Sequence, residues 1–166
     1  MPARIRLFLL LFLAAAAAQP ASALLGETVA DIKKRFGPPE VQMEVRKENA
    51  YWLFEGDDGQ LMYSVTFNAK GHSIAEGLKP LKRARFGKTR VMEFIDSELI
   101  PAQGSPTLHV PKPGESFKFA GQTMTCGANE YVAVDDRLGI LVVWNQGGVP
   151  NVLVLSPEIL RGSPAK

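Results

Sequence analysis

The sequence predicts an α+β fold, with short helices packed on antiparallel sheet in what reads as two similar helix-plus-sheet halves. Three observations carry that expectation. Two stretches space their apolar residues as helices do, and each stops at a proline. Several others alternate apolar and polar residues with the period of a half-buried strand. The links between those strands are too short for parallel crossovers, so neighbouring strands must run antiparallel.

The first helix opens at Thr28, which can cap it together with Asp31 three residues on. Val29, Ile32 and Phe36 fall on one face, and Gly37-Pro38-Pro39 stops it. From Glu40 the period changes to two, with Val41, Met43 and Val45 alternating against Gln42, Glu44 and Arg46. Tyr51 to Phe54 then leads through a turn at Glu55-Gly56-Asp57-Asp58-Gly59 into Leu61 to Asn68, where Leu61, Tyr63, Val65 and Phe67 share a face. A turn at Ala69-Lys70-Gly71 gives the last strand of this half, His72 to Glu76. A second helix is expected over Thr89 to Ile100, from Val91, Ile95 and Leu99, ended by Pro101. After a proline-rich stretch come strands at Ser116 to Phe119, Gln122 to Thr125, Glu130 to Val134, Ile140 to Trp144 and Val152 to Leu155. The divisions expected are a leader over 1–23, a helix-plus-sheet module over 24–78, a basic linker with helix and proline-rich loop over 79–112, and a second β half over 113–166. Both halves run helix, proline, antiparallel strands; their identities are few, and a duplication stays an open reading.

The leader has the form of a secretory signal: Arg4 and Arg6, an apolar run from Leu7 to Ala18, and a small-residue cleavage site at Ala21-Ser22-Ala23. Twelve residues of helix reach about 18 Å, short of a bilayer core of about 30 Å. The expectation is a cleaved, periplasmic or secreted protein starting near Leu24, with no lipid-bearing cysteine at the cleavage point and no transmembrane segment left. Without the leader's two arginines the chain carries 17 basic and 17 acidic residues, so net charge gives no reason to expect nucleic acid as a partner.

The string Gly26-Glu27-Thr28-Val29-Ala30-Asp31-Ile32, ending in Gly37-Pro38-Pro39 and followed by Tyr51-Trp52-Leu53-Phe54 and the hairpin Leu61 to Glu76, resembles the SmpA/OmlA-like modules of outer-membrane assembly lipoproteins. Those modules share the β-lactamase-inhibitor-protein-like fold. The resemblance covers residues 26–76 and implies a small antiparallel sheet that serves as a protein-binding platform. The missing lipid-bearing cysteine departs from the assembly lipoproteins.

No catalytic motif is recognisable. Cys126, the single cysteine, has no local signature with His72 or His109, and reads as a small buried residue. Two histidines 37 positions apart with one cysteine do not make a zinc set, and Asp57-Asp58 and Asp135-Asp136 read as turn residues; no metal or cofactor is implied. The one electrostatic asymmetry is Lys79 to Arg90, six bases with no acid. It reads either as a solvated loop or as a contact for an anionic ligand or partner, with Lys82, Arg83 and Arg85 supplying charge and Phe86 an anchor. Trp52 and Tyr63 complete the candidate contacts if the sheet face is open. The function expected is a protein-binding or interaction module of the cell envelope, its partner an envelope or extracellular protein. A small extracytoplasmic enzyme is the alternative.

Overall fold

The computed structural model describes residues 25–38, 41–42, 49–56, 59–81, 87–148 and 150–161. The signal segment and the alternation expected at Met43 and Val45 lie outside them.

The first helix, α1 (Val29–Phe36), forms for the reasons its sequence gives. Thr28 Oγ1 accepts the Asp31 N–H at 3.3 Å, Asp31 accepts the Thr28 N–H at 3.2 Å, and Gly37 ends the helix at φ 77°. That left-handed angle is open to glycine and strained for a residue with Cβ. Strands β1 (Val41–Gln42), β2 (Asn49–Gly56), β3 (Gly59–Phe67) and β4 (Ser73–Pro80) follow as an antiparallel meander. Strand β4 runs beyond the expected end at Glu76, because Leu78 pairs with Tyr63 and Pro80 with Leu61. Lys79 and Pro80 are therefore strand residues, and the expected boundary after residue 78 falls inside an element.

Helix α2 (Lys88–Glu98) takes up the other end of the basic stretch and continues into a 3-10 turn at Ile100–Ala102, so Pro101 tightens the chain at the end of the helix. The hairpin β5 (Ser116–Phe119) and β6 (Gln122–Thr125) and the meander β7 (Glu130–Asp135), β8 (Ile140–Asn145) and β9 (Asn151–Leu155) come next, each within a residue of its expected bounds. A five-residue helix, α3 (Pro157–Arg161), has no counterpart among the expected elements.

The fold is α+β and mostly strand. The two meanders do not form separate sheets: β4 pairs with β9, giving one seven-stranded antiparallel sheet in the order β1-β2-β3-β4-β9-β8-β7. One face of it carries Trp52, Tyr63, Val65, Leu78, Val152, Val154 and Val142, packed with Ile32 of α1 and Val91, Ile95 and Leu99 in and beside α2. On the opposite face the β5–β6 hairpin covers the second meander, with Phe117 and Phe119 packed among Val132, Val134 and Leu141. Across the first meander that opposite face carries half-buried Tyr51, Leu53, Met62, Ser64 and Thr66 beside exposed Leu153. Helix α3 touches β4, and its Leu160 packs with the hairpin-covered cluster; no hairpin among the described residues lies over Tyr51, Leu53 and Met62 in the manner of β5–β6.

Candidate functional site

Two acids sit in the helix-covered core. Glu76 lies on the central strand β4, in phase with Leu78 and opposite Val65 and Val154, so the pleat turns its side chain into the apolar layer. Glu98 is the last residue of α2, three positions after Ile95 and seven after Val91, on the helix's buried stripe. Glu76 is 1% and Glu98 2% exposed. Burying carboxylates costs several kcal/mol unless they are partnered or neutralised, by about the penalty of removing an ion from water.

The neighbours supply part of that partnering. Tyr63, 2% exposed on β3, donates its hydroxyl to Glu76 Oε2, and Ser73 also hydrogen-bonds the Glu76 carboxyl. Arg35 at the end of α1 pairs through Nη2 with Glu27, while its Nε and Nη1 are buried with no partner among the described residues. Its guanidinium also stacks on Phe36, 4.7 Å from the ring centre. Burial raises the Glu76 pKa, partly offset by the bonds from Tyr63 and Ser73. Burial raises Glu98 much further, and the adjacent charge of Glu76 adds to it. The Tyr63 hydroxyl is held well above its ordinary value by burial and by Glu76, so it stays a donor.

Both directions disfavour charge on the pair, more strongly at Glu98 than at Glu76. Neither Glu98 oxygen has a donor among the described residues, and Glu76 Oε1 has none either. Two adjacent carboxyls satisfy one another when one is protonated, as like charges at close range cannot both ionise in a low-dielectric site. Glu76, with hydroxyl donors from Tyr63 and Ser73, is the better placed of the two to carry charge, and burial disfavours the charged form of Glu98 more strongly.

A cleft of about 560 Å³ adjoins this cluster. Ser73 and Glu98 are its buried polar lining, and His72, Arg137 and Arg161 are exposed side chains along it. Both carboxylate oxygens of Glu98 are closed to solvent in this conformation. His72 itself is held by Gly26 O, 2.8 Å from its Nδ1.

The other expected site residues fall elsewhere. Trp52 and Tyr63 are 2% exposed beneath the helices and offer no outer surface to a partner. Their rings pack on each other at 5.7 Å between centroids, and Trp52 Nε1 donates to Gly37 O at 3.0 Å. Lys82, Arg83, Arg85 and Phe86 lie outside the described residues. Cys126 is buried in the core under the hairpin, its thiol within 3.7 Å of Gly127 O and 3.8 Å of Glu130 O; burial first, then Glu130 and Glu115, push its pKa up and away from thiolate chemistry. His109 pairs with Glu115 at 3.2 Å.

Asp135 does more than shape its turn. It is fully buried and accepts from Ser105 Oγ at 2.5 Å, Thr107 Oγ1 at 2.9 Å and Leu138 N–H at 3.0 Å. Burial works against its charge, but these donors outweigh that and hold its carboxyl below the usual range. Through them β7 secures the loop that follows α2.

The Glu76–Glu98 pair was not among the residues expected to form a site, although a signal for each is present in the sequence. Glu98 continues the Val91–Ile95 spacing, and Glu76 alternates with Leu78 once β4 is allowed its full length.

No protein-family model matches the chain, and no curated protein matches it. Among solved structures, the chain is similar to a cysteine-rich secretory protein from Staphylococcus aureus subsp. aureus Mu50, at 14% identity and a TM-score of 0.40. The likeness covers 82% of this chain and 46% of that protein, so the chain spans less than half its length. No helix among the described residues is long and apolar enough to cross a membrane.

Proposed function

We propose that this protein is an exported protein-binding module of the cell envelope, using the outer face of its first meander. The observation that carries this reading is the unequal dressing of one sheet. The β5–β6 hairpin closes much of the second meander's outer face with Phe117 and Phe119, whereas Tyr51, Leu53 and Met62 of the first, and Leu153 on the adjoining strand β9, are left half-buried or exposed. Aromatic and Met side chains on a hydrogen-bonded sheet supply contact area at small entropic cost, and such residues are enriched at interfaces. The form of the leader, Arg4 and Arg6 before an apolar run and a small-residue cleavage site, supports export. The resemblance of residues 26–76 to SmpA/OmlA-like modules, whose sheet is a protein-binding platform, supports the same reading.

The test is capture of partners from an envelope extract by the mature chain and by a variant with Tyr51, Leu53 and Met62 changed to Ser. A protein held by the parent and lost by the folded variant is the expected result. Identical capture by both would remove the sheet face from consideration. The second reading, a small extracytoplasmic enzyme, is favoured by Glu98, whose pKa burial raises, beside a cleft. A general acid must reach the reacting atom, and the burial of both Glu98 oxygens places this reading second.

A further inference from the structure

The cleft of about 560 Å³ lies at one end of the sheet, walled by the β3–β4 turn, the end of α2, the β7–β8 turn and α3. We propose that it is a binding site for a small amphipathic anion, a carboxylate or phosphate head on an apolar body, with the head taken by Arg137 and Arg161 and the body lying against Leu138, Ile74 and Pro157. None of Tyr51, Leu53, Met62 and Leu153 lines it, so the site is separate from the protein-binding face.

The charges along the cleft are not paired with one another. Arg137 on the β7–β8 turn and Arg161 at the end of α3 are exposed, and neither forms an ion pair with an acid among the described residues. The two exposed acids of the lining each have a fixed donor: Glu158 Oε2 accepts from Asn68 Nδ2 at 2.8 Å, and Asp136 Oδ1 accepts the Ala120 N–H at 2.8 Å. Glu98 and Ser156 also line the cleft, but their side-chain oxygens are closed to solvent. His72 donates from Nδ1 to Gly26 O and adds a further charge only when protonated. Arg35, with its two unpartnered nitrogens, is not part of the lining. What stays open to a ligand is a surplus of donors. Each guanidinium presents a planar fork of N–H groups that fits a carboxylate or phosphate with two parallel bonds. Apolar walls around such charges concentrate their field and raise the local concentration of anions.

The rest of the wall selects the body of the ligand. Leu138, 46% exposed beside Arg137, forms an apolar rim, and Ile74 and Pro157 continue it inward. An inorganic anion would leave these side chains unused, whereas a neutral apolar molecule would strip water from the guanidiniums without replacing their bonds. The volume falls within the range of pockets that enclose small ligands. The walls are also held in place. Gly139 takes φ 70° where the turn meets α3, and a Cβ there would lie 3.1 Å from Pro157 Cδ. The Leu138 N–H donates to Asp135, the Ser156 N–H donates to Ile74 O at 2.9 Å, and Leu160 anchors α3 in the hairpin-covered cluster. Both arginines therefore stand on fixed backbone, which lowers the ordering cost of binding.

The experiment is a titration of the full chain with octanoate, octyl phosphate, octanol, octylammonium and acetate, followed by amide chemical shifts and calorimetry. The expected result is saturable binding of octanoate, octyl phosphate or both, with the shifts gathered at Ser73, Ile74, Gly139 and Arg161. Affinity for these anions should exceed that for octanol and octylammonium by about tenfold or more, since only an anionic head meets the guanidinium forks. Acetate should bind more weakly than octanoate, which has the apolar body in addition. Arg137→Gln combined with Arg161→Gln should weaken the anions by about tenfold or more and leave the octanol response unchanged, as both side chains are exposed and removable without loss of packing. Leu138→Ser should weaken octanoate and leave acetate unchanged, and it keeps the test decisive if the double variant does not fold. Vesicles of phosphatidylglycerol distinguish a free anion from a membrane surface. Absence of saturable binding of either anion, equal affinity for octanol, affinity unchanged in the double variant or in Leu138→Ser, shifts gathered away from the cleft, or binding to the vesicles alone would each overturn the site.

Discussion

Trp52→Ala is expected to be among the most damaging single substitutions in the first half of the chain. The indole is 2% exposed, packs against Tyr63, and donates to Gly37 O at 3.0 Å, tying β2 to the residue that caps α1. A buried Trp removes about 150–250 Å² from water. At about 25 cal/mol per Å² this corresponds to about 4–6 kcal/mol. Alanine keeps part of that surface and the site partly collapses, which brings the expected loss to about 3–5 kcal/mol. With about 2–4 °C per kcal/mol for a chain of this size, the melting temperature should fall by about 6–20 °C. Trp52→Phe separates the two contributions, since it keeps most of the ring and removes the bond to Gly37 O, at about 1–2 kcal/mol. Thermal and urea melts followed by far-ultraviolet circular dichroism measure both variants without relying on the fluorophore being removed. If Trp52→Ala melts within about 2 °C of the parent, the packing of α1 on the sheet is not as described.

Cys126→Ser should change stability by no more than about 1 kcal/mol, as the hydroxyl can donate to the carbonyls now beside the thiol, and a thiol reagent should label the parent only after denaturation. Gly77→Ala should cost about 1–3 kcal/mol by overpacking, because the added Cβ would lie 3.0 Å from Leu153 Cδ2 and 3.1 Å from Ser64 Oγ; urea melts should show Leu153→Ala recovering part of that loss. Asp135 is held charged by its donors, so its contribution to stability is present above about pH 3.9 and lost as pH falls through its lowered value. Acid unfolding of Asp135→Asn should accordingly show a flatter low-pH limb than the parent.

Local signals carried much of the fold. The Thr28–Asp31 capping box, the stop at Gly37 and the shared face of Leu61, Tyr63, Val65 and Phe67 are set by residues within a few positions of each other, and the structure shows each of them. The β4–β9 pairing is different. It joins residues more than 70 positions apart, and period-two patterns say which face a strand buries without saying which strand lies beside it. The buried acids escaped for a related reason. Charged residues break an apolar pattern, so the periodicity points to an end at Glu76, whereas the strand carries the acid inward and continues through Leu78. Short α3 has too few residues for a periodic signal.

The seam between β4 and β9 also bears on how the molecule is made. During synthesis the first meander can assemble early, from contacts close in sequence, but the outer edge of β4 has no strand to bond until residues 151–155 arrive. For that interval the growing chain exposes a row of unpaired backbone groups flanked by Leu78 and Ile74, the kind of edge that recruits strands from other molecules. Glu76 and Lys79 lie along this same edge, and charges on an exposed strand edge discourage such pairing until the chain's own last strand completes the sheet.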